Sequence, residues 1–220
     1  ENVSTVRDIM LMSNYLIKEF PKEYEYFSEK EFTWDRTGGD PISQGNRNPL
    51  LYKNLGADGI KTGYLAVEKY SLASTMKKRD RRVIAVASGF DTKNLRSSQS
   101  LKLLNWGFRN TNTFEISKKN KTTFEIDSWL GIKNKINAVT KENFYVTIDK
   151  KDIRHLNVSL NYNGPIKAPI RKGEKVAELI IKKKNKNLKT LPLYASEDLK
   201  KVNFFKSLAA SLNYLIWGDV

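Results

Sequence analysis

Three side chains and one bare Cα stand in a row at Lys61-Thr62-Gly63-Tyr64. A lysine fixed on an edge-like strand favours an anionic carboxylate and can hold proton-relay groups in place. The Thr62 hydroxyl can donate to the same carboxylate. Gly63 lets an extended ligand backbone approach and pair with the strand. The chemistry offered is capture of a carboxylate-bearing extended ligand. The competing reading makes Lys61 a solvated surface lysine. The Tyr64 ring has two open roles, lining a pocket or packing.

A nucleophile to go with this wall is hard to find. Ser74-Thr75-Met76-Lys77 has Ser-x-x-Lys spacing, but activation needs Ser and Lys on one face of a helix. The run Tyr70–Met76 reads as a strand, where positions three apart face oppositely. The chain has no cysteine, so thiol catalysis, disulfides and thiolate metal sites are excluded. His155 is the only histidine, in a Lys/Asn-rich region. No metal site can be built around it and no cofactor is expected.

The elements that position the tetrapeptide follow from periodicity. Thr5 or Ser4 can cap a helix through Val6, Ile9, Met10, Leu16 and Ile17, stopped by Pro21. Lys30–Trp34 reads as a short strand and Arg36–Gly45 as a loop. Gly59–Val67, Tyr70–Met76 and Val83–Ser88 read as three strands, the last two joined by the basic turn Lys77–Arg82. Asp91 or Thr92 caps a second helix carrying Leu95, Leu101, Leu104 and Phe108 on one face. From Thr113 short alternating runs predict a small all-β domain, with a hairpin tip at Lys182–Lys189. Leu199–Trp217 has Phe205, Leu208, Leu212, Leu215 and Ile216 at helical spacing, suited to a membrane interface or to packing on the protein's own surface. No stretch approaches the roughly 20 apolar residues that span a bilayer.

The net charge of +15 invites a polyanionic partner. The lysines are scattered among asparagines and no nucleic-acid motif accompanies them. An anionic lipid surface or wall polymer is therefore expected, and nucleic acid is not.

The sequence Asp58-Gly59-Ile60-Lys61-Thr62-Gly63-Tyr64 has company: Glu31-Phe32-Thr33-Trp34, Asn46-Arg47-Asn48-Pro49, Ser88-Gly89-Phe90-Asp91, Arg96, Leu104-Asn105-Trp106-Gly107-Phe108 and Lys167-Ala168-Pro169-Ile170-Arg171-Lys172-Gly173-Glu174. In this order the series resembles the low-molecular-mass penicillin-binding proteins, the serine D-alanyl-D-alanine carboxypeptidases, in which Lys-Thr-Gly is one of three site motifs. The family's Ser-x-x-Lys and Ser-x-Asn motifs precede Lys-Thr-Gly. Ser211-Leu212-Asn213 is out of place for the second. The chain thus reads as the C-terminal portion of a longer enzyme, inactive alone.

The resemblance implies an α+β fold. Residues 1–112 form the C-terminal part of a penicillin-binding/β-lactamase-like domain, an antiparallel sheet flanked by helices. Residues 113–195 form the all-β domain, and residues 196–220 an amphipathic membrane-anchoring helix. It implies acyl transfer from peptidoglycan stem peptides ending in D-Ala-D-Ala, with β-lactam antibiotics acylating the same serine. The setting is periplasmic or extracytoplasmic, peripheral on the membrane. Lys61, Thr62, Gly63 and the oxyanion-binding N–H of Tyr64 match catalytic positions. Arg47 and Arg96 match positions near the site, where a guanidinium fork suits a terminal carboxylate. An alternative role for either arginine is to hold the fold through Asp58 or Asp91. Two other classes stay in view: a serine β-lactamase or non-catalytic relative, and a basic polyanion-binding module.

Overall fold

The computed structural model describes residues 3–218. The chain divides into two compact units, Glu1–Thr111 and Asn112–Val220. The α+β class expected from the sequence is the one observed.

The first unit is built on a three-stranded antiparallel sheet in the order β3 (Ala57–Leu65), β4 (Lys69–Lys78), β5 (Arg81–Phe90). Helix α1 (Val6–Glu19) starts at a capping box. The Thr5 hydroxyl accepts from the Asp8 N–H at 3.1 Å, and the Asp8 carboxylate accepts from the Thr5 N–H at 3.0 Å. Its apolar stripe, Ile9, Leu16 and Ile17, packs on Ile60, Ala73 and Val86 of the sheet. The short helix α2 (Pro21–Tyr24) follows at once, with Pro21 at its first turn. Helix α3 (Lys93–Asn110) starts from Thr92, whose hydroxyl accepts the Leu95 N–H at 3.1 Å. It buries Leu104 against Leu50, Leu72, Met76 and Ala85.

The segment 36–45, read as a loop, is a loop only in part. Ile42–Gly45 forms strand β2, which pairs antiparallel with β1 (Glu31–Trp34) from Glu31↔Gly45 to Trp34↔Ile42. Its Gly- and Pro-rich approach masks a four-residue strand whose partner ends eight residues earlier, at Trp34.

The second unit is dominated by strands. A two-stranded sheet joins β6 (Thr111–Ser117) to β9 (Phe144–Asp149). A six-stranded sheet runs in the order β10 (Leu156–Asn161), β12 (Lys175–Lys183), β13 (Lys186–Ala195), β8 (Lys135–Val139), β7 (Thr122–Trp129), β11 (Ile166–Lys167). Its neighbours are antiparallel except β7 and β11. Ile126, Ile136, Leu179, Leu193 and Leu199 are at most 2% exposed and make the core.

Helix α4 (Phe204–Trp217) is shorter than the segment read from Leu199. Leu199 is buried and bridges Ile170, and Lys201 bridges Gly131, so the chain stays extended there. Asn203 then caps the helix by accepting the Lys206 N–H at 3.0 Å. Among the described residues no helix is long and apolar enough to cross a membrane.

Candidate active site

Strand β3 is the edge of its sheet, paired on one side with β4 through Lys61↔Ala73, Thr62↔Leu72, Gly63↔Ser71 and Tyr64↔Tyr70. Its far flank therefore offers unpaired backbone to an extended ligand. An open cleft of about 830 Å³ runs along it, lined by Lys61, Thr62, Gly63, Tyr64, Arg47 and Arg96, with Tyr70 and Lys93 completing the wall. All six residues singled out in the sequence meet at this one place. Among the described residues four cations line the cleft and no carboxylate does, which is the electrostatics of an anion site.

Lys61 is exposed and its Nζ donates to the Thr62 carbonyl at 2.9 Å. It has no carboxylate partner among the described residues, so its charge is available to a ligand. It also lines a second, largely apolar cavity of about 640 Å³ between α1 and the sheet, beside Ile9, Leu16, Ile60 and Val86. The lysine thus stands at the border between a charged cleft and an apolar one.

Arg96 is only 6% exposed. Its guanidinium lies 5.5 Å from the centroid of the Tyr70 ring, and Nη2 donates to the Arg47 carbonyl at 3.4 Å. Its Nε is buried with no partner. Burial lowers its pKa from the ordinary value, opposed by Tyr70. The Tyr70 ring in turn packs on Tyr64, with centroids 4.6 Å apart. Tyr64 therefore has both roles left open for it, lining the cleft and packing.

Neither arginine holds the fold through an aspartate. Arg82 takes Asp58 with both prongs of its fork, at 2.7 and 2.6 Å, and Lys69 takes Asp91. Tyr24 adds a third bond to Asp58, its hydroxyl donating at 3.0 Å. Burial, then the Asp58 charge, pushes the Tyr24 phenol well above its usual range. Gly59 is required here, because a Cβ at that position would sit 2.6 Å from the Tyr24 hydroxyl. Gly63 likewise leaves its Cβ space to the Ser71 hydroxyl, a packing demand beside its openness to a ligand.

Ser74 lies on β4, fully buried, and its hydroxyl donates to the Ala85 carbonyl at 3.0 Å. Lys77 is exposed on the same strand, so the Ser-x-x-Lys spacing brings no lysine to that serine. Ser211 and Asn213 lie on α4, in the second unit. His155 ends a 3-10 turn in the second unit, its carbonyl accepting the Lys184 N–H at 2.9 Å.

Lys93 and Tyr70 were not foreseen. Lys93 opens α3 one residue after its cap, and that cap is legible in the sequence. Tyr70 faces Tyr64 only through the β3–β4 register.

Comparison with known proteins finds relatives for both units of the chain. Residues 1–92 match the family described as D-alanyl-D-alanine carboxypeptidase, and residues 112–201 match the C-terminal domain of penicillin-binding protein 5. The D-alanyl-D-alanine carboxypeptidase DacC of Escherichia coli K12 is 35% identical over 204 residues, covering 92% of this chain and 50% of that protein. DacF of Bacillus subtilis is 32% identical over 168 residues, 76% of this chain and 43% of its own length. Penicillin-binding protein 5 from Haemophilus influenzae superposes with a TM-score of 0.77 at 29% identity, over 90% of this chain and 57% of that one. The chain spans about half the length of the curated relatives it matches. With both units matched in order, the chain belongs to the D-alanyl-D-alanine carboxypeptidase family, the low-molecular-mass penicillin-binding proteins.

Proposed function

We propose that this chain supplies the Lys-Thr-Gly wall of a serine D-alanyl-D-alanine carboxypeptidase, which trims the terminal D-alanine from peptidoglycan stem peptides and is acylated by penicillin. The observation that carries the reading is the carboxylate-free cleft along edge strand β3, with Lys61, Arg47, Lys93 and Arg96 around it. A stem peptide ending in D-alanine is an extended chain with a terminal carboxylate. It can add to the open edge of β3 while the cations hold its carboxylate. The Tyr64 N–H is positioned in sequence to donate to the developing oxyanion beside the N–H of the attacking serine. That serine attacks the carbonyl of the penultimate residue and D-alanine leaves with the proton. Water then hydrolyses the ester. Ser74 is not that serine, since its hydroxyl is buried in the core. A serine outside these 220 residues completes the site.

The test uses the longer protein that carries such a serine. It is expected to release D-alanine from a diacyl-D-Ala-D-Ala peptide and to be labelled by fluorescent penicillin. Lys61→Ala should lower acylation on the order of 10²-fold or more, as loss of a preorganised charge does. An equal loss from Lys53→Ala would reduce Lys61 to one surface charge among many. Penicillin turnover faster than peptide turnover would instead favour a β-lactamase.

The second part of the reading concerns α4. We propose that it holds the protein peripherally on an anionic membrane outside the cytoplasm. Lys206, Ala210 and Asn213 border the groove against residues 127–131 of the β unit, and Ser207, Ala210 and Ser211 are the half-buried residues of the helix, so its small and polar side faces inward. Phe205 and Leu215 are 79% and 80% exposed, and Leu208 and Leu212 about half. A helix docked for its own stability buries its apolar stripe. This one leaves it outside, as an interfacial helix does.

A further inference from the structure

The second unit gathers positive charge at one end. The 3-10 turn Lys150–His155 carries Lys150, Lys151 and Arg154, and the β12–β13 tip carries Lys182, Lys183, Lys184 and Lys186. Some thirty residues separate the two segments in sequence. The fold joins them: the Lys184 N–H donates to the His155 carbonyl at 2.9 Å, and β10 leaves the turn by pairing Leu156 with Lys183. Asp149 and Asp152 are the only carboxylates in these segments. Asp152 takes Lys183 at 2.6 Å and also feels Lys151 and Lys184. Among the described residues the other six cations have no carboxylate partner, and Lys183 stands directly opposite Lys186 across the hairpin. Like charges so placed oppose folding.

Position decides what they meet. Ala195, at the other end of β13, leads into the extended stretch from which α4 departs, and α4 lies against residues 127–131. Nine residue steps along β13 lead from Lys186 to Ala195, roughly 30 Å at about 3.3 Å per residue. The Debye length at physiological salt is about 8 Å. A membrane holding α4 is thus electrostatically remote from the tip, a step that rests on the proposed role of α4. Lysine is a compact point charge suited to phosphate oxygens without demanding one geometry.

We propose that the tip formed by Lys150, Lys151, Arg154, Lys182, Lys184 and Lys186 is a docking surface for a linear phosphate-bearing polyanion outside the bilayer. It would hold the enzyme against such a polymer while α4 holds the lipid.

The test compares the full 220-residue chain with a fourfold variant, Lys150→Gln, Lys151→Gln, Lys184→Gln and Lys186→Gln. A control loses equal charge elsewhere: Lys119→Gln, Lys121→Gln, Lys172→Gln and Lys201→Gln. Binding to labelled inorganic polyphosphate is followed by anisotropy against salt. The tip variant should bind at least tenfold more weakly near 50 mM salt. Its log–log salt slope should fall by about three, at about 0.7 per phosphate contact on a single strand. The control should stay within threefold of the parent. Equal loss in both variants would overturn the proposal, leaving net charge alone. Equal circular dichroism and melting separate lost binding from lost folding. Anionic vesicles form the second arm. The tip variant should still bind them within twofold, and a loss matching the polyphosphate loss would overturn the proposal in favour of lipid. If the parent ignores vesicles, the role of α4 fails by itself, and the polyphosphate arm still decides whether the tip binds polyanions.

Discussion

Asp58 and Arg82 form a two-pronged ion pair, Nη1 to Oδ1 at 2.7 Å and Nη2 to Oδ2 at 2.6 Å, three residues before Lys61 on the same strand. Each side chain is about a quarter exposed. The pair ties the start of β3 to β5, and the Tyr24 hydroxyl ties it to α2. Asp58→Ala leaves Arg82 with its bonds to Thr75 and Tyr24 and no counter-charge. The expected cost is about 2 kcal/mol, between an exposed and a fully buried pair. Urea unfolding should show a lower midpoint with unchanged slope. A midpoint equal to the parent's would show that strand pairing alone fixes β3.

The same network has an alkaline limit. Tyr24 is 6% exposed and its phenol is raised by burial and by Asp58. A group whose folded pKa lies above its unfolded value stabilises fully below the unfolded value, about 10 for tyrosine. That contribution is lost as pH rises from there through the folded value. Stability should therefore fall more steeply above pH ~10 in the parent than in Tyr24→Phe. Parallel curves for the two proteins would remove Tyr24 as the cause.

Arg96 and Lys61 face the same cleft but differ in freedom. Arg96 is buried, set over the Tyr70 ring and bonded to the Arg47 carbonyl, while Lys61 is exposed. Arg96→Lys keeps the charge and loses the flat fork. In the longer enzyme it should raise KM for a peptide with a free C-terminal carboxylate several-fold. The effect should shrink for the corresponding peptide amide. Equal effects on acid and amide would assign Arg96 to packing.

The tetrapeptide on β3 was legible because its four residues are contiguous and their flanks alternate. Thr5 and Thr92 were legible because caps depend on a few neighbouring residues. The β4–β5 hairpin was legible too, but its turn is only Arg79–Asp80, because Lys77, Lys78, Arg81 and Arg82 pair across the ladder and extend the two strands. What the sequence did not reveal depends on register across distance. Arg82 reaches Asp58 over 24 residues through two strand pairings. Tyr70 packs on Tyr64, and Ser71 fills the space left by Gly63, through the same β3–β4 ladder. Strand β2 was hidden by its own length. The basic tip was divided between two segments that read separately as ordinary lysine-rich surface.

The terminal helix gives the sharpest test of the membrane reading. Its exposed stripe includes Phe205, Leu208, Leu212 and Leu215, while Lys206 and Asn213 line the inner groove. Apolar burial yields about 25 cal/mol per Å², and each lysine near an anionic surface adds roughly 1 kcal/mol. Replacing Leu212 and Leu215 with Ser should therefore release most of the chain from anionic vesicles in co-sedimentation. The β unit should melt unchanged, because its core is made by Ile126, Ile136, Leu179 and Leu193 and not by these leucines. High salt should weaken binding without abolishing it, since only the charge contribution is screened. Replacing Lys206 alone should matter less, since it borders the groove and stands outside the apolar stripe. Unchanged co-sedimentation of the double serine variant would sink the anchor and leave α4 as a helix held only by its own unit.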